Sequence, residues 1–262
     1  MSRAWLGFLL LVAVAVCGPA VPASGSARER SVAPAFPSAA QVAAAKRYAS
    51  LRAGIVSFTV VDSLGKRYAL DGERQFVSAS VIKAMLLASF LDMKAVAHEA
   101  LTATDRFDLR AMITESDNDA ADEIYQQVGD AHLCNLARRL GMRRFSVHGY
   151  WANAQLTTND QALLMEHLSK AIYRPGYAYA RSLLSSVVSW ESWGIPEAAR
   201  SRGWKVFFKG GWRPTDRGQL IHQVARLERR GQVIVICVLT DGDPSSRYGQ
   251  ETVYGIAGRL LR

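Results

Sequence analysis

Apolar residues at Val42, Ala45, Tyr48 and Leu51 recur at three-to-four spacing behind Ser38, which predicts an amphipathic helix capped by Ser38. Residues 54–61 and 67–70 then read as strands around Asp62-Ser63-Leu64-Gly65, a hairpin pattern. From about residue 80 to 190 the apolar period becomes helical, with breaks at Thr104-Asp105, Asp117-Asn118, Gly129-Asp130, Gly141 and 157–160. After Pro196 strand patterns return at 204–208, 218–227 and 233–239, and 248–261 closes as a helix. The run 233–239 is almost wholly apolar, so it belongs in a sheet interior covered on both faces.

This order predicts an α/β (α+β) fold: an antiparallel sheet flanked by helices and built from both chain ends, with an all-helical subdomain between them. The expected boundaries are an α/β part at 38–75 and 196–262 and a helical part at 76–195. Helix, hairpin, helical insert and returning strands make the two ends one cooperative unit, and no internal repeat is present.

Composition adds a compartment. The chain has 262 residues, 49% hydrophobic and 21% charged, which is ordinary for a globular protein and unlike a disordered or multi-pass membrane chain. Arg3, an apolar run over 6–16, then Gly18, Pro19 and small residues follow the order of a secretory leader, too short for the about 20 residues of a membrane span. Residues 1–27 are expected to be removed, after Ala23 or Ala27, and 28–37 to be a tether. Val16 before Cys17 argues against lipid attachment there, so the expected location is secreted or cell-envelope associated. Cys134 and Cys237 remain and read as small apolar residues rather than a bridge. The net charge of +9 comes from scattered basic doublets with no nucleic-acid motif, so a solvated basic surface on a monomer is expected. His98, His132, His148, His167 and His222 lack metal-ligand spacing, and there is no phosphate-binding glycine loop; neither metal nor cofactor is expected.

Three short motifs carry candidate chemistry: Ser80-Val81-Ile82-Lys83, Ser116-Asp117-Asn118 and Lys209-Gly210-Gly211. The first pattern alone is weak, since Ser63-Leu64-Gly65-Lys66 matches it in a hairpin turn. Ser80 differs in opening an apolar helix (Ile82, Met85, Leu86, Phe90). Residues three apart at a helix start are neighbours, so the Lys83 amine is expected beneath the Ser80 hydroxyl, as a base beneath a nucleophile. The helix N-terminus favours a developing oxyanion, and burial with the like charge of Lys209 is expected to lower the Lys83 pKa.

Together the motifs resemble the serine β-lactamase and penicillin-binding protein superfamily, most closely class A β-lactamases. The resemblance rests also on the ten residues from Met112 to Ala121, on Thr157-Thr158 opening the next helix, and on Trp204 five residues before Lys209. It implies Ser80 as the acylated nucleophile, Lys83 as its proton acceptor, Ser116 as proton relay to the leaving nitrogen, and Lys209 as positive charge for a substrate carboxylate. It further implies Asn118 as a hydrogen-bond partner of the substrate amide, with Gly211 and the backbone N–H of Trp212 completing the substrate and oxyanion site. Asp117 reads as organising its loop. The implied substrate is a small molecule or peptide, a β-lactam or cell-wall peptide.

Two departures qualify the resemblance. Gly210 stands where the family has a threonine whose hydroxyl helps bind the carboxylate, with Arg213 or Arg217 as conceivable substitutes. The family's water-activating glutamate between the second motif and the next helix has no counterpart: residues 131–159 contain no acid, the connection 143–155 looks short, and Glu166 falls inside the following helix. His148 is the titratable group nearest that place in sequence. The expectation is an exported serine hydrolase forming an acyl-enzyme on an amide or ester. A peptidase with a slow second step and a non-catalytic binder on the same fold are the rivals. The aromatic group Tyr173, Tyr177, Tyr179, Trp190 and Trp193 reads as packing, with the lining of a groove for an extended substrate as the alternative.

Overall fold

The first helix forms where the spacing predicts it. In the computed structural model, which describes Met1, 35–96 and 98–262, Ser38 caps α1 (Ala39–Ala49) in a capping box with Gln41. Then come β1 (Ile55–Val61), β2 (Arg67–Leu70), β3 (Phe76–Val77), a 3-10 turn (Ala79–Ile82), α2 (Lys83–Val96), α3 (Ala103–Thr114) and α4 (Asn118–Arg139). The chain continues through β4 (Gln155–Leu156), α5 (Thr158–Glu166), α6 (Leu168–Ala171), α7 (Arg174–Ser185), α8 (Ile195–Arg200), β5 (Lys205–Thr215), β6 (Gly218–Arg229), β7 (Gln232–Asp243) and α9 (Ser246–Leu260). The leader and residues 28–34 lie outside the described residues. Residues 35–37, the end of the stretch read as a tether, are held: Phe36 exchanges backbone and side-chain bonds with Ser63 and stacks on Trp204 at 5.7 Å.

Five strands form one antiparallel sheet in the order β2-β1-β7-β6-β5, so strands from the two chain ends interleave. The apolar run in β7 occupies the centre. Its Ile234, Ile236 and Val238 join a core with α1, α8 and α9, while Val235, Cys237 and Leu239 point to the helical body on the other face. β5 runs on to Thr215, well beyond the 204–208 expected from its apolar residues, because Gly210 and Gly211 stay in register with Gln223 and His222.

The helical body is built around α2. Ala84, Met85, Leu86, Leu87, Ala88 and Phe90 are all completely enclosed, the pattern of a helix apolar on every side. Each large side chain so buried contributes about 1.5–3 kcal/mol. α4 turns at Gly129, whose φ of 64° breaks the helix where the Gly-Asp pair interrupts the periodicity. Among the described residues no helix is long and apolar enough to cross a membrane, and no cluster of His, Cys, Asp and Glu could hold a metal. Among the described residues Cys134 and Cys237 form no disulfide.

Candidate active site

Ser80 lies in the 3-10 turn that leads into α2, at the junction of the sheet and the helical body. Two anchors fix the approach to it. Val77 is held by His222 of β6, whose Nε2 lies 3.0 Å from the Val77 carbonyl while Nδ1 accepts from the Thr240 N–H; burial lowers the His222 pKa to about 4, so the ring is neutral. Ser78 bonds the Ala154 carbonyl through its N–H and the Trp151 carbonyl through its hydroxyl, at 2.8 and 3.0 Å. Ala79, immediately before Ser80, has a φ of 44°, in the left-handed region that costs an L-residue about 1–2 kcal/mol.

The second left-handed residue of the site is Ser116, with a φ of 56°. It sits between the end of α3 and Asp117, which caps α4 by accepting from the Ala120 N–H at 2.8 Å, as its loop-organising reading requires. The turn presents three acceptors to Lys83. Its Nζ donates to the Ser116 carbonyl at 2.7 Å, the Asp117 carbonyl at 3.1 Å and Asn118 Oδ1 at 2.7 Å. Among the described residues no hydrogen bond joins Lys83 to the Ser80 hydroxyl. The spacing argument places the amine near that hydroxyl, and the three acceptors tie it to the 116–118 turn as well. Burial, then the like charge of Lys209, lowers the Lys83 pKa to about 7, against the opposing pull of Glu191, Asp117 and Asp122. A lysine in this range exchanges its proton at neutral pH.

β5 closes the other side. A Cβ at Gly211 would stand 2.8 Å from the backbone nitrogens of both Ser80 and Val81, so only glycine lets the strand come this close. A Cβ at Gly210 meets only ordinary contacts, at 3.7 Å or more. Trp212 follows on the exposed side and packs edge-on against Trp190 and Trp193, with ring centroids 6.1 and 6.2 Å away. These two tryptophans pack beside the third motif, next to Trp212, while Tyr177 and Tyr179 on α7 lie under Arg181 and Arg106 respectively.

Lys209 differs from expectation most. It is fully buried, and its Nζ donates to Glu191 Oε2 at 2.9 Å and to its neighbour's Gly210 carbonyl at 3.1 Å. Burial lowers its pKa and the Glu191 carboxylate opposes that shift. Sequence reasoning missed Glu191. It comes from a 3-10 turn (Ser189–Glu191) between two tryptophans and matches no motif.

The short connection after α4 also has a defined course. Asp160, in the first turn of α5, accepts from the Arg143 and Arg144 N–H groups, and Ser146 pairs with Gln155. This places the buried Trp151 ring 4.7 Å from Lys83 Nζ, with its indole N–H donated to Asp122 at 2.6 Å. Trp151 and Asp122 are further neighbours of Lys83 that no motif marked. His148 is exposed, next to Gly149, whose N–H donates to Asp130, and Asp130 also accepts from the Tyr125 hydroxyl. Glu166 is paired with Arg67 on β2 at 2.8 Å. Arg213 donates to Asn153, and Arg217 is paired with Asp241.

A sheet interleaved from both chain ends, a helical body, and a buried lysine behind a helix-start serine define a fold of the β-lactamase and penicillin-binding type. The chain belongs to the β-lactamase enzyme family, whose model matches residues 97–262 and so begins after Ser80 and Lys83. Its fold is similar to a β-lactamase from Sphaerobacter thermophilus (20% identity, 84% of this chain and 95% of that one, TM-score 0.75). It is similar also to the TLA-1 extended-spectrum β-lactamase (14% identity, 84% and 96%, TM-score 0.74). PBP-A is another such structure (15% identity, 87% and 97%, TM-score 0.74). No curated protein matches the sequence.

Proposed function

We propose that this chain is an exported serine hydrolase that works through an acyl-enzyme on Ser80. The observation that carries the reading is the wholly enclosed Lys83, one turn after Ser80, with a pKa near 7 and its amine bonded to the Ser116-Asp117-Asn118 turn. An ammonium fills all three acceptors there; a neutral amine has two N–H groups, so deprotonation frees a lone pair for the serine proton. Ser80 Oγ then bonds the acyl carbon as the bond to the leaving oxygen or nitrogen breaks. The serine proton passes to Lys83, and Ser116 relays a proton to the leaving group. Asn118, whose Nδ2 has no protein partner among the described residues, faces the acyl group, and the Ser80 and Trp212 N–H groups receive the oxyanion.

The second step is slow in this reading. Trp151, an apolar ring with no acid–base function, covers Lys83, and 131–159 contain no carboxylate. That favours the penicillin-binding or peptidase-like alternative over rapid β-lactam turnover. The leader, if cleaved after Ala23 or Ala27, puts this chemistry outside the cytoplasm, which N-terminal sequencing of the exported protein checks.

Intact-protein mass spectrometry over time, after adding p-nitrophenyl acetate or benzylpenicillin, tests the reading. Added acyl mass on the wild-type chain and none on Ser80→Ala supports it, and a persistent adduct supports the slow second step. Absence of an adduct and of product with both reagents overturns it in favour of a binding protein.

A further inference from the structure

At the Lys209 end of the site three features coincide. The Lys209 ammonium is paired inside the protein with Glu191, both side chains being wholly buried. Glu191 Oε1 is also buried and has no hydrogen-bond partner among the described residues, so no further donor there neutralises the carboxylate. The turn that carries Glu191 also supplies Trp190 and Trp193, which with Trp212 make an aromatic wall; Trp190 is 62% and Trp212 37% exposed. Of the two nearby arginines, Arg217 is neutralised by Asp241, while Arg213 is turned to the amide oxygen of Asn153 and keeps its charge there, away from the Lys209–Glu191 pair.

We infer that Glu191 is a specificity-determining positioning residue: it cancels the charge of Lys209 and turns the Ser80 site toward an uncharged ester or amide whose apolar group packs on the Trp190–Trp212 wall. A carboxylate brought within hydrogen-bond distance of Lys209 meets the Glu191 carboxylate already there, and because that pair is buried the like-charge repulsion is less screened than at the surface. The hydroxyl that a threonine at 210 would add is absent as well. An uncharged group meets neither obstacle and gains contact with exposed indole faces.

This inference rests on the acyl-enzyme reading, and one pair of reagents separates the two. Benzylpenicillin and its methyl ester carry the same reactive ring and differ in the carboxylate, so their acylation rates on the wild-type chain are compared by intact mass, with Ser80→Ala as control. The ester is expected to acylate Ser80 about ten-fold faster or more. Glu191→Gln is expected to raise the rate with the free acid about ten-fold while changing the rate with the ester less than about three-fold. A wild-type chain that reacts equally fast or faster with the free acid overturns the inference and leaves the Ser80 reading standing. An unchanged acid rate in folded Glu191→Gln does the same. No adduct from either reagent overturns both. Should Glu191→Gln fail to fold, the wild-type rate ratio alone decides.

Discussion

Lys83 and Lys209 are both completely enclosed, and the charge of Lys209 reaches Lys83, yet their surroundings fit them for different tasks. Lys83 is bonded only to neutral acceptors, two carbonyls and an amide oxygen. Lys209 has a full carboxylate against it. An amine among dipoles loses much of its hydration without gaining a counter-ion, so its proton becomes labile near neutral pH. An amine facing a buried carboxylate has its charge spent inside the protein, and its removal leaves the partner unpaired. The contrast separates a proton carrier from a scaffold ion pair within one small site.

The largest effect is expected at the proton carrier. Lys83→Met is predicted to lower the rate of Ser80 acylation by about 10²–10⁴-fold, the usual range for loss of a general base, as measured by the time course of adduct mass. Lys209→Met with the same reagent, the methyl ester of benzylpenicillin, is predicted to fall far less. Equal losses from the two variants break the comparison.

Stability is expected to show the reverse order. Lys209→Met leaves Glu191 without its partner in the interior, at a cost of about 3–5 kcal/mol, or roughly 10 °C in Tm for a chain of this size. Lys209→Met combined with Glu191→Leu removes both charges and is predicted to recover most of that loss in calorimetry. Additive losses in the double variant would contradict an ion pair as the source.

The pH dependence sharpens the contrast further. The Lys83 pKa is lowered from 10.5 to about 7, so acylation is predicted to fall with one proton as pH drops below about 7 and to level off above it. Glu191, which raises that pKa, moves the limb to lower pH when changed to Gln. Between about 7 and 10.5 the unfolded chain binds the Lys83 proton and the folded one does not, so this group's contribution to stability grows with rising pH in that window and is lost as pH falls toward 7. Lys83→Met removes that slope in urea melts taken across the range.

What the sequence disclosed follows the same division. The sheet interleaved from both ends was legible because β7 is apolar on both faces and because Ser38, Gly129 and Thr157 punctuate helices by local chemistry. The Lys83 pocket was partly legible, since its acceptors come from one short motif. The direction of its pKa shift followed from burial and Lys209, but its turn toward 116–118 did not. The Lys209 pocket was not legible. Glu191 reaches it from a turn with no periodicity, and the two glycines concealed the continuation of β5; at the Lys83 pocket, Trp151 arrives from a connection whose course depends on Asp160 and Ser78.

Those glycines give the two smaller predictions. Gly211→Ala puts a methyl group 2.8 Å from two backbone nitrogens of the Ser80 turn, which cannot move aside as a flexible side chain would. A loss of about 1–3 kcal/mol is expected from the forced shift, with acylation falling alongside, read by thermal melts and adduct mass.

Gly210→Thr is the mildest change and the most discriminating. The new side chain starts in open van der Waals contact with Trp193, Trp212 and Gln223, in the interior of a strand that favours a β-branched residue, so stability is expected to stay level or rise by up to about 1 kcal/mol. It restores a hydroxyl beside Lys209 without freeing that lysine from Glu191. If the hydroxyl alone limits carboxylate binding, benzylpenicillin acid gains in acylation rate. If the charge on Lys209 is cancelled first, the acid gains little in Gly210→Thr, less than about three-fold, and gains strongly only when Glu191→Gln is added, because the hydroxyl then works beside an uncompensated cation. A large gain from Gly210→Thr by itself would mean that the two lysines differ less in available charge than their partners imply.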